Sequence, residues 1–251
     1  MHKINGDVDM NDIFNSWIVH KYIAHKGFHT STEPENSLGA FQNAINKDYA
    51  IELDVQMISD GNIVVFHDEL LGKLTGKDGY ISNLKKTDLK NYHILGSEYT
   101  IPLLTDVLKC VNGQTPILIE IKNSGKVGPL EEKLLEILKK YKGEYAIQCF
   151  NPYVLEWFLA NAPEISRGQL SSNFKGEKLA FLKKFVLRRL GFVKKTKANF
   201  ISYEAQSLPN RFVKKYSNLP LLAWTVRSQS EYIKVAKYCD NIIFENFEPT
   251  I

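Results

Sequence analysis

Short apolar, β-rich runs alternate with helix-like stretches along most of this 251-residue chain. That alternation is the strongest constraint on the fold, because strands joined through helices return in the same direction and build a parallel sheet. Strand candidates fall at 22–25, 50–57, 63–67, 117–122, 145–150, 166–170, 200–204, 221–226 and 241–245. Helix candidates fall at 37–47, 104–111, 130–142, 152–161, 177–190, 209–216 and 229–237. Nine strands are one too many for an eight-stranded barrel. Between Met57 and Ile63, however, lie only Ile58, Ser59, Asp60, Gly61 and Asn62. No crossover helix fits in that gap, so the two strands read as an antiparallel hairpin that turns at Asp60-Gly61. Eight parallel strands remain, which predicts an α/β fold, a TIM (β/α)8 barrel with a β-hairpin after strand 2. A doubly wound sheet alternates in the same way, but no Gly-rich nucleotide fingerprint follows the first strand.

The hairpin carries a register expectation. A two-residue turn at Asp60-Gly61 sets Ser59 opposite Asn62, and counting back along both arms sets Asp54 opposite His67. Glu52 and Asp54, two residues apart, share a face. Residues 68–100 lack strong periodicity and hold Gly72, Gly76, Gly79 and Gly96. They read as an insertion with a short helix at 86–91, lying over the barrel mouth, since loops of this length in compact domains are usually functional. The whole chain, 1–251, reads as a single barrel domain carrying that insertion.

Those strands place charge where apolar side chains are the rule. Glu52, Asp54 and Glu120 stand within apolar runs, and His25 and His67 end two others. Each acid alone would read as half of a core ion pair. As a set beside two histidines, they read as ligands of one divalent cation, and oxygen-only ligation points to Mg²⁺ or Ca²⁺ rather than zinc. Histidine exchanges protons near neutral pH, so His25 and His67 are the candidate general acid and base. Lys26 and Lys122 are candidate phosphate contacts, although Lys122 shares a face with Glu120 and is equally placed to pair with it or with Glu52. Trp224 reads either as the floor of the pocket mouth or as an ordinary buried strand aromatic.

A net charge of +4 is mild and suits small anionic substrates without requiring nucleic acid, for which no compact motif is present. Cys110, Cys149 and Cys239 are odd in number and widely spaced. They outline neither a disulfide framework nor a zinc site, and a reducing cytoplasm is the expected compartment. The N-terminal residues are acidic and polar where a signal peptide needs an apolar core. No run approaches the roughly 18 apolar residues of a membrane span.

His25-Lys26-Gly27, Pro34-Glu35-Asn36-Ser37, Glu52-Leu53-Asp54-Val55, Asp60-Gly61, His67-Asp68, Ile101-Pro102, Glu120-Ile121-Lys122 and Ala223-Trp224-Thr225-Val226 follow one another in order. In that order the chain resembles the glycerophosphodiester phosphodiesterase family from Tyr22 to about Pro249. The resemblance implies a TIM barrel, a divalent cation at Glu52, Asp54 and Glu120, acid–base histidines at His25 and His67, and a phosphate contact at Lys122. It further implies a supporting role for Glu35 beside the first histidine and a small inserted region after His67-Asp68. Three positions depart from the family pattern. Lys26 replaces the arginine of His-Arg-Gly, which keeps the charge and loses the bidentate fork. Cys149-Phe150 replaces a frequent Ser-Phe, and Phe244-Glu245-Asn246-Phe247 replaces an Asp- or Asn-rich turn.

Residues 177–197 are strongly basic. Leu179, Leu182, Val186 and Leu190 outline an apolar stripe, with Lys183, Lys184, Arg188 and Arg189 largely off it. The segment is either a barrel helix with a solvated basic face or an interfacial helix that makes peripheral membrane contact. Three functions follow: a hydrolase of small glycerophosphodiesters that releases glycerol 3-phosphate and an alcohol, a phospholipase D-like hydrolase of lysophospholipids at a membrane surface, and a weakly active phosphoester-binding barrel suggested by Lys26.

Overall fold

A computed structural model describes residues 13–123, 125–176 and 180–250. The N-terminal polar segment and residues 177–179 of the basic segment, Leu179 among them, lie outside the described residues. The chain divides into two compact units, Ile23–Tyr145 and Ala146–Ile251 with Met1–Tyr22. Among the described residues are eight parallel strands and one antiparallel return strand, with helices between them, and the fold class is the TIM barrel.

The first unit holds β1 (Ile23–Ala24), β2 (Ala50–Met57), β3 (Ile63–Val65) and β4 (Ile117–Ile121). β2 pairs in parallel with β1 and β4, and antiparallel with β3. Ile51, Leu53 and Val55 are fully buried on one face of β2. Each contributes about 1.5–3 kcal/mol by leaving water. That apolar face anchors the strand while Glu52, Asp54 and Gln56 project from the other. The helix Leu38–Asn46 starts where the Ser37 hydroxyl accepts from the Ala40 N–H at 3.1 Å, and Ala40, Phe41 and Ala44 are buried. The Ser37 cap satisfies one of the N–H groups that a helix start leaves unpaired.

The hairpin forms, but one residue out of the predicted register. Val55 pairs with Val65 and Met57 with Ile63, and the Phe66 N–H donates to the Asp54 carbonyl at 2.9 Å. Asp54 therefore faces Phe66 and not His67. The turn is the cause: Ile58 N–H donates to Asn62 O at 3.0 Å, so the loop holds three residues, Ser59, Asp60 and Gly61. Gly61 closes it with φ +79°, the left-handed residue that a three-residue hairpin loop requires.

The insertion folds on the hairpin around its own core, in which Leu71, Leu74, Ile81, Leu84, Leu89 and Ile94 pack with Ile58, Val64 and Phe66. The helix expected at 86–91 is a 3-10 helix, Lys86–Asn91. The Lys86 N–H donates to Asp60 Oδ2 at 2.8 Å and the Ser59 N–H to the Leu84 carbonyl at 2.9 Å. The insertion is thereby tied to the hairpin tip.

The second unit holds β5 (Tyr145–Cys149), β6 (Arg167–Ser171), β7 (Phe200–Glu204), β8 (Leu221–Val226) and β9 (Asn241–Phe244), each parallel to the next. Arg167 is buried, with its guanidinium donating to the carbonyls of Thr196, Pro163 and Ile165. In the basic segment the helix is Phe181–Arg188, and the expected apolar stripe does not hold. Leu182 is 71% exposed, while Leu187 and Leu190 are buried. Leu190 lies past the helix end in a left-handed conformation, φ +58°, which breaks the helical phase between it and Leu182. Among the described residues no helix is long and apolar enough to cross a membrane.

Candidate active site

Glu52, Asp54 and Glu120 converge in the first unit. Strand alternation puts Glu52 and Asp54 on one face of β2, and the parallel register puts Glu120 of β4 beside Asp54. One ligand oxygen from each lies within 4.8 Å of the other two, and all three residues are buried. Glu52 Oε2 accepts from the Lys26 backbone N–H at 2.9 Å, whereas Glu52 Oε1 is buried with no hydrogen-bond partner. A buried carboxylate oxygen without a partner is costly. Three hard oxygen donors around such an atom suit a divalent cation.

The electrostatics show the strain of that convergence. Burial, reinforced by the charges of Asp54 and Glu120, pushes the Glu52 carboxyl well above the ordinary glutamate range. Burial acts on Asp54 in the same direction, but the positive fields of Lys122, His67 and Lys26 overcome it and hold Asp54 below its usual value. The Lys122 ammonium lies 3.2 Å from Asp54 Oδ1 and pairs with Glu120 Oε1. Burial would favour neutral Lys122, yet Asp54 and Glu120 keep it charged and raise its pKa. Lys122 is thus an ion-pair partner within the acid cluster.

His25 follows β1 directly and is half-buried, and its charge acts on Asp54. His67 follows the hairpin and is likewise half-buried, with Nδ1 2.6 Å from Asp68 Oδ1. That contact orients the ring and leaves Nε2 for exchange. Both histidines thus reach the field of the acid cluster, although the predicted cross-strand pairing of His67 with Asp54 is absent.

Lys26 sits in a left-handed conformation, φ +56°, ahead of Gly27 at φ +80°. A Cβ at Gly27 would come within 2.9 Å of the Ala40 carbonyl carbon and of Phe41, so only glycine fits there. The turn aims the Lys26 N–H at Glu52 and its ammonium at Glu35 Oε1, 2.6 Å away. Burial would discharge Lys26, but Asp54 and Glu35 more than offset this and raise its pKa. Glu35 is therefore the counter-ion of Lys26. Trp224 lies in the other unit, half-buried on β8, with its ring 5.5 Å from Phe150. Its indole Nε1 is buried without a hydrogen-bond partner.

Two supporting residues escaped the sequence reading. Asn36 Nδ2 donates to Asp54 Oδ2 at 2.9 Å, and its Oδ1 accepts from the Asp54 N–H at 3.4 Å. Gln56 Nε2 lies 2.8, 3.2 and 3.0 Å from the carbonyls of Phe66, His67 and Asp68. The signal for Gln56 was present in the sequence: it continues the polar alternation of Glu52 and Asp54 along an otherwise apolar strand.

The profile of the Glycerophosphoryl diester phosphodiesterase family matches residues 25–246. A glycerophosphodiester phosphodiesterase from Caldanaerobacter subterraneus is 33% identical over 159 residues, 59% of this chain and 65% of that protein. Human lysophospholipase D GDPD1 is 34% identical over 138 residues, 50% of this chain and 43% of that protein. The chain thus spans under two thirds of the length of these two relatives. An Oleispira antarctica phosphodiesterase, solved with its product sn-glycerol-3-phosphate, superposes with a TM-score of 0.75. It is 22% identical, and the match covers 91% of this chain and 93% of that one. With the family profile matched across nearly the whole chain and the acid cluster formed from its motifs, the chain belongs to the glycerophosphoryl diester phosphodiesterase family, whose members are phosphoric diester hydrolases.

Proposed function

We propose that this protein hydrolyses glycerophosphodiesters to glycerol 3-phosphate and an alcohol. The observation that carries the reading is the buried convergence of Glu52, Asp54 and Glu120 under the charges of two histidines. A Mg²⁺ or Ca²⁺ ion held by those three carboxylates would neutralise charge on the non-bridging phosphate oxygens. The residues themselves do the rest. One histidine takes the proton of the attacking oxygen, which is water or the substrate's neighbouring hydroxyl; in the second case a cyclic phosphate forms and water then opens it, breaking the ring P–O bond, to give glycerol 3-phosphate. A new P–O bond forms, the P–O bond to the alcohol breaks, and the other histidine returns a proton to the departing oxygen. Asp68 holds His67 in one orientation, and Lys26 and Lys122 supply positive charge for the phosphate. A reducing cytoplasm suits the three free cysteines, and we read 1–251 as one catalytic barrel domain.

His25→Ala and His67→Ala are each expected to lower turnover by about 10²–10⁴ while keeping the folded spectrum. EDTA is expected to abolish activity, and added Mg²⁺ or Ca²⁺ to restore it. Near-normal hydrolysis by either alanine variant would overturn the two-histidine scheme.

A second reading, phospholipase D-like action on lysophospholipids, is favoured by the match to human lysophospholipase D and by the exposed apolar side chains of the basic helix. A panel of glycerophosphocholine, glycerophosphoethanolamine, glycerophosphoinositol and lysolipids separates the two. The weakly active barrel is tested by Lys26→Arg, where a large gain in turnover would favour it.

A further inference from the structure

A helix that covers a sheet normally turns its apolar face inward and its charged face to water. The helix Phe181–Arg188 departs from that rule. Leu187 faces inward, whereas Phe181 is 83% exposed and Leu182 71% exposed. Phe185 joins them on the same side, its ring 6.4 Å from that of Phe181. Exposed apolar side chains at consecutive positions of one short helix are an unusual use of surface in a soluble domain.

The surroundings are just as one-sided. Residues 180–197 carry seven lysines and arginines and no aspartate or glutamate. Lys183 and Lys184 directly follow the exposed pair. Arg189 stacks 3.6 Å from the Phe185 ring centre, and Arg188, Arg189 and Arg211 all lie within 6 Å of the Phe212 ring. Stacking on aromatic faces holds a guanidinium in place without neutralising it. Among the described residues none of Lys183, Lys184, Arg188, Arg189 or Arg211 pairs with a carboxylate, and the Nε atoms of Arg188 and Arg189 are buried without a hydrogen-bond partner. Aromatic stacking thus positions the arginines of this set, and among the described residues none of its cations has a carboxylate partner.

We infer that this face docks on an anionic lipid bilayer, with Phe181, Leu182 and Phe185 entering the boundary between headgroups and acyl chains and the Lys and Arg side chains meeting lipid phosphates. Each half of the surface argues for the same occupant. Apolar side chains flanked by cations match the layered chemistry of a membrane surface, in which hydrocarbon lies a few ångströms below negative charge. A second copy of the chain would bring the same cations face to face across a two-fold axis. The docking face is independent of the hydrolytic chemistry, since none of its residues belongs to the acid cluster.

The test is co-sedimentation of the intact protein with vesicles of phosphatidylcholine alone and of phosphatidylcholine mixed with phosphatidylglycerol. The wild type is expected to bind the mixed vesicles and to leave the neutral ones. Phe181→Ser/Leu182→Ser and, separately, Lys183→Gln/Lys184→Gln are each expected to weaken that binding about tenfold or more. Hydrolysis of a water-soluble glycerophosphodiester is expected to be unchanged in both, which shows that they fold and keeps this test distinct from that of the hydrolase reading. No binding to mixed vesicles overturns the inference. So does equal binding by the serine variant, which would mark diffuse electrostatic attraction alone. Loss of vesicle binding in favour of a dimer or an acidic protein partner overturns it as well.

Discussion

At the scale of single residues, the acids and the His67 loop are held by groups that do no chemistry. Asp54 keeps its orientation through Asn36, and Glu52 keeps one oxygen on the Lys26 backbone. The Gln56 amide is the clearest case, because one NH₂ group gathers three successive carbonyls, those of Phe66, His67 and Asp68. Gln56→Leu would leave those carbonyls without it, at a cost of about 1–3 kcal/mol. On the reading of His67 as acid or base, kcat should fall while KM changes little, because the loop carrying the histidine shifts and the phosphate contacts stay. Stopped assays at varied substrate concentration, with a thermal melt alongside, check this. Equal losses in kcat and kcat/KM would agree with it, whereas a rise in KM alone would contradict it. Lys26 shows what residue identity cannot reveal. Its type suggested a phosphate contact, but its left-handed backbone and its pairing with Glu35 are properties of the folded turn.

At the scale of elements, most strand and helix positions were legible. β2, β7 and β8 fall at the expected positions, and the helices Leu104–Val111 and Pro152–Asn161 match theirs. Period-two and period-3.6 patterns in apolar residues report burial directly, and burial is what selects these segments. The hairpin register was not legible to the same degree. Asp60-Gly61 signals a turn, but two-residue and three-residue loops both accept it, and the choice moves every partner by one. Gly61 has φ +79°, and a Cβ added there would meet no atom within 4 Å, which separates backbone strain from crowding. Gly61→Ala should therefore destabilise the protein by about 1 kcal/mol through the left-handed conformation alone. Urea denaturation checks it, and a loss well above that value would mean the hairpin had changed register. The basic helix failed for a related reason. A stripe drawn from Leu179 to Leu190 assumes one unbroken helix, and the helix stops at Arg188.

At the scale of the whole molecule, the proposed cation site would couple stability to cation binding. Like charges buried together destabilise the fold, and a cation bound only by the folded state offsets them. At a Mg²⁺ or Ca²⁺ concentration one hundred times Kd, stabilisation should reach about 2.7 kcal/mol. Scanning calorimetry should show a rise in Tm with added cation that disappears in Asp54→Asn. A cation-independent Tm in the wild type would remove the metal from the site irrespective of any activity assay. The sequence by itself determined the alternation that makes the fold class, the hairpin's existence, and the identity of the acids and histidines, because each follows from local pattern or residue chemistry. Only the tertiary structure decided that Asp54 faces Phe66, that Lys122 lies among the acids, that Glu35 holds Lys26, and that Phe181 and Leu182 point to solvent. Those outcomes depend on loop length, backbone handedness and the end of a helix, which set distances between residues far apart in the chain.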